Sequence, residues 1–218
     1  IHVKVGIDLR GIAIEKGDFR QISLKKIMMS DSARKIVTQS IQKFASTRRG
    51  IVFGVGIEHA EMLKKDIVEA GFTCEVVHSQ VPLEKREQRL KDFEQGKIQF
   101  IANPLILTEG YNCPRADCMI NVAPTQNRSL YIQKAGRVLR THPEKEDALL
   151  IDFGQTKKRH VLRTAVNLLG EFSEVPTQEI KDIRELLPLG ELDELEATDE
   201  VINAVEKAYD PLSGKVQT

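Results

Sequence analysis

From Ile51 to Asp152 the chain alternates short apolar runs with amphipathic stretches, and this alternation limits the possible folds more than any other feature. Ile51–Val55, Cys74–Val77, Ile98–Ala102, Cys118–Ala123 and Ala148–Asp152 each read as a strand. Glu58 to Ala70 reads as a helix, with Ala60, Leu63, Ile67 and Ala70 at helical spacing and Gly71 as its stop. Pro82 opens a second helix to about Gln95, ended by Gly96, and Ser129 to Leu139 reads as a third. Strands that lack polar alternation need cover on both faces, and strands that alternate with helices pair in parallel. The expectation is an α/β body with a mainly parallel sheet between helical layers. Ligands on such sheets bind beyond the carboxyl ends of the strands.

The flanks read differently. In residues 1–50, Ile1, Val3, Val5, Ile7 and Leu9 alternate as in a half-buried strand, and Gly11 and Gly17 bracket a second apolar run, Ile12-Ala-Ile14. Ser30 is a candidate N-cap for a helix through about Phe44, with Ile36, Val37, Ile41 and Phe44 as its apolar face. Residues 155–218 read as helical and polar, interrupted by Pro176, Pro188 and Pro211. The expected division is a lead-in over 1–50, a body over 51–170 and an acidic helical extension over 171–218 that takes no part in the sheet.

Charge supports that division. The formal net charge is zero, yet residues 1–170 carry 28 Lys/Arg against 19 Asp/Glu, and residues 171–218 carry 4 against 13. A basic body suggests an anionic partner, although solvated helices would give the same balance. The tail is either a solvated extension or an internal competitor for that partner. Aromatics are 5% of residues and Trp is absent, which disfavours a base-stacking platform. The three cysteines, Cys74, Cys113 and Cys118, fit no zinc spacing and suit buried thiols in a reducing, cytoplasmic setting. No apolar run is long enough to span a membrane. The chain does not begin with Met and shows no apolar signal region, so a fragment of a longer protein is expected.

Four segments carry chemistry. Gly54 and Gly56 stand between a strand and a helix start, where amides can hold a phosphate or simply make a turn. His78 and Ser79 follow the next strand, with Arg86 eight residues beyond His78, and a lone His there is commonly structural. Ala102 to Pro114 is rich in small and polar groups. Tyr131-Ile-Gln-Lys-Ala-Gly-Arg-Val-Leu-Arg140 sets Arg137 and Arg140 three apart, on one face of a continuing helix, with Gln133 four before Arg137 and Gly136 between them. Two guanidinium groups so placed match a phosphate that gains negative charge during transfer, and two solvated arginines are the plain alternative.

These segments, in this order and spacing, resemble the second RecA-like lobe of superfamily-two helicases and translocases of DEAD/DEAH-like type. The resemblance rests on Ile51–Val55, His78-Ser79, Arg86, Phe93 and Gly96, Thr108-Glu-Gly-Tyr-Asn-Cys-Pro114, and Gln133 to Arg140. The closing Asp152-Phe-Gly154 and the strands before the body look most like RadD-type bacterial and phage members. The resemblance implies a RecA-like three-layer sandwich with a helical C-terminal extension. It implies arginine fingers at Arg137 and Arg140, a phosphate-sensing Gln133 beside Gly136, and Gly110 and Asn112 near the ribose. It also implies a nucleic-acid backbone track lined by Gly56, His78, Arg86 and Thr108, with DNA favoured and RNA open. Asn112, Pro104 and Ser79 stand where the family commonly has Asp, Thr and Gly.

The sequence has no Gly-x-x-x-x-Gly-Lys-Ser/Thr phosphate loop and no Asp-Glu-x-His-like metal motif. The resemblance therefore implies that ATP and Mg²⁺ are held mainly by an N-terminal lobe outside this chain, and that the isolated chain does not turn over ATP. A non-enzymatic RecA-like module that binds nucleic acid or protein is the alternative.

Overall fold

A computed structural model describes residues 1–9, 11–104, 113–155 and 177–180. Its main element is a seven-stranded sheet in the order β5-β6-β4-β7-β8-β1-β9. The strands are β1 (His2–Asp8), β4 (Gly50–Phe53), β5 (Cys74–Val76), β6 (Phe100–Asn103), β7 (Cys118–Asn121), β8 (Leu149–Gln155) and β9 (Thr177–Ile180). Every neighbouring pair is parallel. A two-stranded antiparallel hairpin, β2 (Ile14–Glu15) with β3 (Asp18–Phe19), follows β1.

Among the described residues five helices cover the sheet: α1 (Gln21–Met28), α2 (Asp31–Phe44), α3 (Gly56–Glu69), α4 (Leu83–Glu94) and α5 (Arg128–Ala135). One apolar cluster joins Leu24 and Met28 of α1, Ile36, Val37 and Ile41 of α2, and Leu63 and Ile67 of α3 to Val52, Ala102, Ile120 and Ile151 of the strands. A second cluster joins Phe93 of α4 and Tyr131 and Ala135 of α5 to Ile51, Phe53, Ile101, Met119 and Leu150. Adjacent strand residues thus face opposite layers, as the pleat requires. β4, β6 and β7 are buried at every position. That is why their sequences read as unbroken apolar runs. Burial of each large side chain among them contributes about 1.5–3 kcal/mol.

Several local expectations hold. Ser30 caps α2 by accepting the Ala33 amide at 3.3 Å. Gly71 and Gly96, just past α3 and α4, have positive φ. The antiparallel hairpin and helix α1 were not legible in the sequence. Helix α1 has no side-chain cap and buries only Leu24 and Met28, so its periodic signal is short.

The lead-in strand, expected to be half-buried, pairs with β8 inside the sheet. One expectation is corrected. The segment after residue 171 was expected to be helical and outside the sheet, yet Thr177–Ile180 is a strand paired in parallel with His2–Val5. Backbone groups on the open edge of β1 need partners, and a returning segment supplies them despite its acidic composition. The helical readings for 156–176 and 181–218 lie outside the described residues.

Candidate functional site

The turn between β4 and α3 is built on two glycines. A Cβ on Gly54 would lie 3.3 Å from the Ala60 nitrogen, so α3 packs directly against this backbone. Gly56 has φ +86° with open space where a Cβ would be, so the left-handed conformation, rather than crowding, selects glycine there. Helix α3 has no cap from its own N-cap residue, Val55. His59, one turn inside the helix and fully buried, accepts the Val55 amide on Nδ1 at 3.0 Å. Burial, with Arg34 and Lys25 nearby, pushes the His59 pKa down to about 4, so the ring is neutral and keeps its acceptor.

The next loop is pinned to the same helix. His78 Nδ1 accepts the Gln80 amide at 3.2 Å, so Nε2 carries the proton and donates to Glu61 of α3 at 3.0 Å. With both nitrogens engaged and the ring buried, His78 shapes this turn. It has no donor left for a ligand. Arg86, in the first turns of α4, is different. Its Nε is buried with no hydrogen-bond partner, and among the described residues its guanidinium has no ion pair. Arg34, Arg48, Arg89 and Arg115 all pair with carboxylates. Gly56, His78 and Arg86 therefore share the carboxyl edge of the sheet, around β4 and β5.

Helix α5 starts at that edge beyond β7 and runs back toward the amino edge, because β8 is parallel to β7. Asn127 caps it by accepting the Leu130 amide at 3.1 Å. Before it, Asp18 of β3 accepts the Gln126 amide at 2.8 Å and the Thr125 hydroxyl, which latches the hairpin onto this loop. Below the helix lies a buried polar network. Asp152 accepts from Tyr131 Oη at 2.6 Å, His2 Nε2 at 2.9 Å and Asn121 Nδ2 at 2.8 Å. Lys134 Nζ donates to Asn121 Oδ1 at 3.0 Å and the Ala123 carbonyl at 2.6 Å. Lys134 is fully buried, 5.6 Å above the Phe53 ring, and burial pushes its pKa down to about 7 against the pull of Asp152 and Asp18.

The helix ends sooner than expected. It stops at Ala135, and Gly136, with φ −60°, is its C-cap. Arg137 and Arg140 leave on a turn, so they do not share the face of a continuing helix as their spacing predicts. The backbone tightens to 3₁₀-type bonds, with the Arg137 amide on Lys134 O at 3.1 Å and the Val138 amide on Ala135 O at 3.0 Å, before the Leu139 amide closes one last α-type bond to Ala135 O at 3.0 Å. Gln133 and Arg140 are exposed and Arg137 is half-buried. Lys145 Nζ donates to the carbonyls of Val138 at 2.6 Å, Arg140 at 2.7 Å and Ala116 at 2.9 Å. Ala116 lies two residues before β7, which puts the arginine turn at the amino edge.

The fold thus places the sequence-derived positions in two groups at opposite ends of the sheet. Gly56, His78 and Arg86 form one, and Gln133, Gly136, Arg137 and Arg140 the other. Thr108, Gly110 and Asn112 lie outside the described residues. Sequence reasoning missed His59, Lys134 and Lys145. Lys134 was visible only as a lysine inside an otherwise apolar helical face, and Lys145 sits in a run of charges. A depression of about 450 Å³ also opens at the amino edge; of its cations, Arg48, Lys97 and Arg115 pair with Asp147, Asp92 and Glu144, while Arg49 and Lys145 donate to main-chain carbonyls.

Among the described residues no helix is long and apolar enough to cross a membrane. Comparison with known proteins agrees with the fold. Residues 32–142 match the family described as the helicase conserved C-terminal domain. The Saccharomyces cerevisiae protein named "Putative ATP-dependent helicase IRC3" is 28% identical over 84% of this chain and 28% of its own length. A 51.5 kDa protein of a Lactococcus phage is 27% identical over 67% of this chain and 32% of its own length. The chain thus spans under a third of these relatives. The solved structure of S. cerevisiae Dbp5 bound to RNA and ADP BeF3 superposes with a TM-score of 0.54 at 14% identity, over 86% of this chain and 45% of that one. With a parallel sheet between two helical layers, a RecA-like topology and half of its length inside the family match, the chain belongs to the helicase conserved C-terminal domain family of superfamily two.

Proposed function

We propose that the chain is the C-terminal lobe of an ATP-dependent nucleic-acid translocase or helicase, and that it meets nucleic acid at the carboxyl edge of its sheet and nucleotide at the turn after α5. The observation that carries this reading is Arg86. A half-buried guanidinium with a buried, unpartnered Nε is costly unless a ligand completes it, and a phosphate oxygen is the natural partner. It stands at the same edge as the open backbone at Gly56, where nothing crowds an approaching phosphodiester. Thr108 joins these two in the proposed track. His78 contributes through the turn it shapes.

At the other end, Arg137 and Arg140 act as arginine fingers on the γ-phosphate of ATP, with Gln133 orienting that phosphate and Gly110 and Asn112 near the ribose. ATP and Mg²⁺ are held mainly by an N-terminal RecA-like lobe of the same protein. Their contribution is an activated phosphoryl group. This chain contributes positive charge where negative charge develops. Backbone contacts suit a sequence-independent track, and we favour DNA over RNA, although the Dbp5 structure above holds RNA. The three buried thiols suit a reducing compartment, which we read as the cytoplasm.

The test is nucleic-acid-stimulated ATP hydrolysis by the full-length protein. Arg137→Ala and Arg140→Ala should each lower kcat by about 10³-fold or more with ATP binding largely intact. Near-normal turnover in both variants would return these residues to a solvated turn.

A further inference from the structure

Arg137 and Arg140 lie beyond the end of α5, so the helix ladder alone does not fix where they point. The turn that carries them ends in carbonyls with no amide ahead to bond them, the usual deficit at a helix C-terminus. Lys145 makes up that deficit. Its ammonium donates to Val138 O at 2.6 Å and Arg140 O at 2.7 Å, and its third bond, to Ala116 O at 2.9 Å, reaches a different segment. All three donors are engaged, and every acceptor is a main-chain carbonyl. A cation at this position also meets the negative end of the helix dipole.

The far anchor is rigid. Ala116 is fully buried, its amide bonds to Cys113 O at 3.0 Å, and the next amide, Asp117, bonds to Arg49 O at 3.0 Å at the foot of β4. Val138 sits fully buried in the α4/α5-side core. The buried Val138 side chain and the Lys145 ammonium thus both tie the turn to the body of the lobe, and the ammonium grips the carbonyl of Arg140.

We infer that Lys145 is a positioning residue for the arginine pair, acting through main-chain carbonyls to present Arg137 and Arg140 to a nucleotide phosphate in one orientation. This rests on the reading of those arginines given above. Lys145 is not itself a phosphate ligand, because its donors are used. A displacement of about 1 Å at a group that stabilises a transition state lowers rate by about 10²-fold. Loss of the clamp should therefore cost less than loss of an arginine.

The experiment compares Lys145→Met, which keeps the stem and removes the donors, with Lys145→Arg, which keeps donors, in the full-length protein. Lys145→Met should lower kcat about 10- to 100-fold with KM for ATP and affinity for nucleic acid within about twofold of wild type, and Lys145→Arg should restore most of kcat. In an Arg137→Ala, Arg140→Ala background, Lys145→Met should add little further loss, because both groups it positions are gone. Wild-type kcat in Lys145→Met beside inactive Arg140→Ala would overturn the inference, as would a full multiplicative loss when Lys145→Met is added to the arginine pair variant. Amide hydrogen exchange of residues 137–141 in the 218-residue chain reads the clamp without any ATPase. Faster exchange there, with the sheet unchanged, is expected for Lys145→Met, and unchanged exchange refutes the clamp even if the arginines prove inactive in catalysis. Should Lys145→Met fail to fold, Lys145→Gln takes its place with the same outcomes.

Discussion

Replacement of Lys134 by Met tests the buried network beneath α5 through its pH dependence. The lysine is fully buried, and its two hydrogen bonds go to neutral oxygens, Asn121 Oδ1 and Ala123 O. The carboxylate of Asp152 hydrogen-bonds Asn121 and acts on the amine by charge alone. Burial therefore dominates and brings the amine's pKa from 10.5 to about 7. Between those values the unfolded chain holds a proton that the folded chain has shed. Folding then releases a proton, and stability rises with pH. At 1.36 kcal/mol per unit, the wild type should gain about 2 kcal/mol between pH 7 and pH 9 from this group alone. Lys134→Met removes the titration and leaves two acceptors unpaired, a roughly constant cost of about 1–3 kcal/mol. Urea unfolding of both proteins at pH 7, 8 and 9 measures the effect. The difference between them should widen in favour of wild type by about 2 kcal/mol, while other titrating groups cancel. Parallel curves, within about 0.5 kcal/mol, would mean that Lys134 stays charged in the fold and that the attraction of Asp152 outweighs desolvation.

Three other outcomes are expected. His59, whose pKa is held near 4 by burial, should cost the protein about 2 kcal/mol of stability as pH falls from 7 to 5, because the unfolded ring takes up a proton that the folded ring refuses; His59→Gln should flatten that slope in urea titrations. Arg86→Ala should weaken binding to unrelated single strands alike and reduce the salt slope by about one charge, and strong sequence discrimination in fluorescence anisotropy would contradict a backbone contact. Deletion of residues 171–218 removes β9, so hydrogen exchange should rise at His2–Val5 of β1 while β4 and β7 keep their protection; an unchanged β1 would place the strand pairing in doubt.

Much of this protein was legible in its sequence because the physics behind it is local. Apolar runs such as Ile51-Val-Phe and Phe100-Ile-Ala declare buried parallel strands without reference to anything distant. Ser30, Gly71 and Gly96 mark helix ends through their own backbone chemistry. The ordered segments from His78 to Arg140 point to the family because their residue types recur together in one order and spacing, and the family match spans them.

Tertiary structure decided what depends on partners far along the chain. Thr177–Ile180 became a strand because β1 offers an unpaired edge, which outweighs a composition that reads as a polar helix. Burial in a polar network assembled from β1, β7, β8 and α5 lowers the Lys134 pKa to about 7, and no window around it contains Asp152 or His2. His78 shapes its turn because Glu61 of α3, seventeen residues away, meets its Nε2. The early end of α5 moved the arginines off the helix, and Lys145 took over the carbonyls left behind. Periodicity reports which way a residue faces in its own element. Which donor meets which acceptor is set only when elements pack, and that is where the proposed site acquires its geometry.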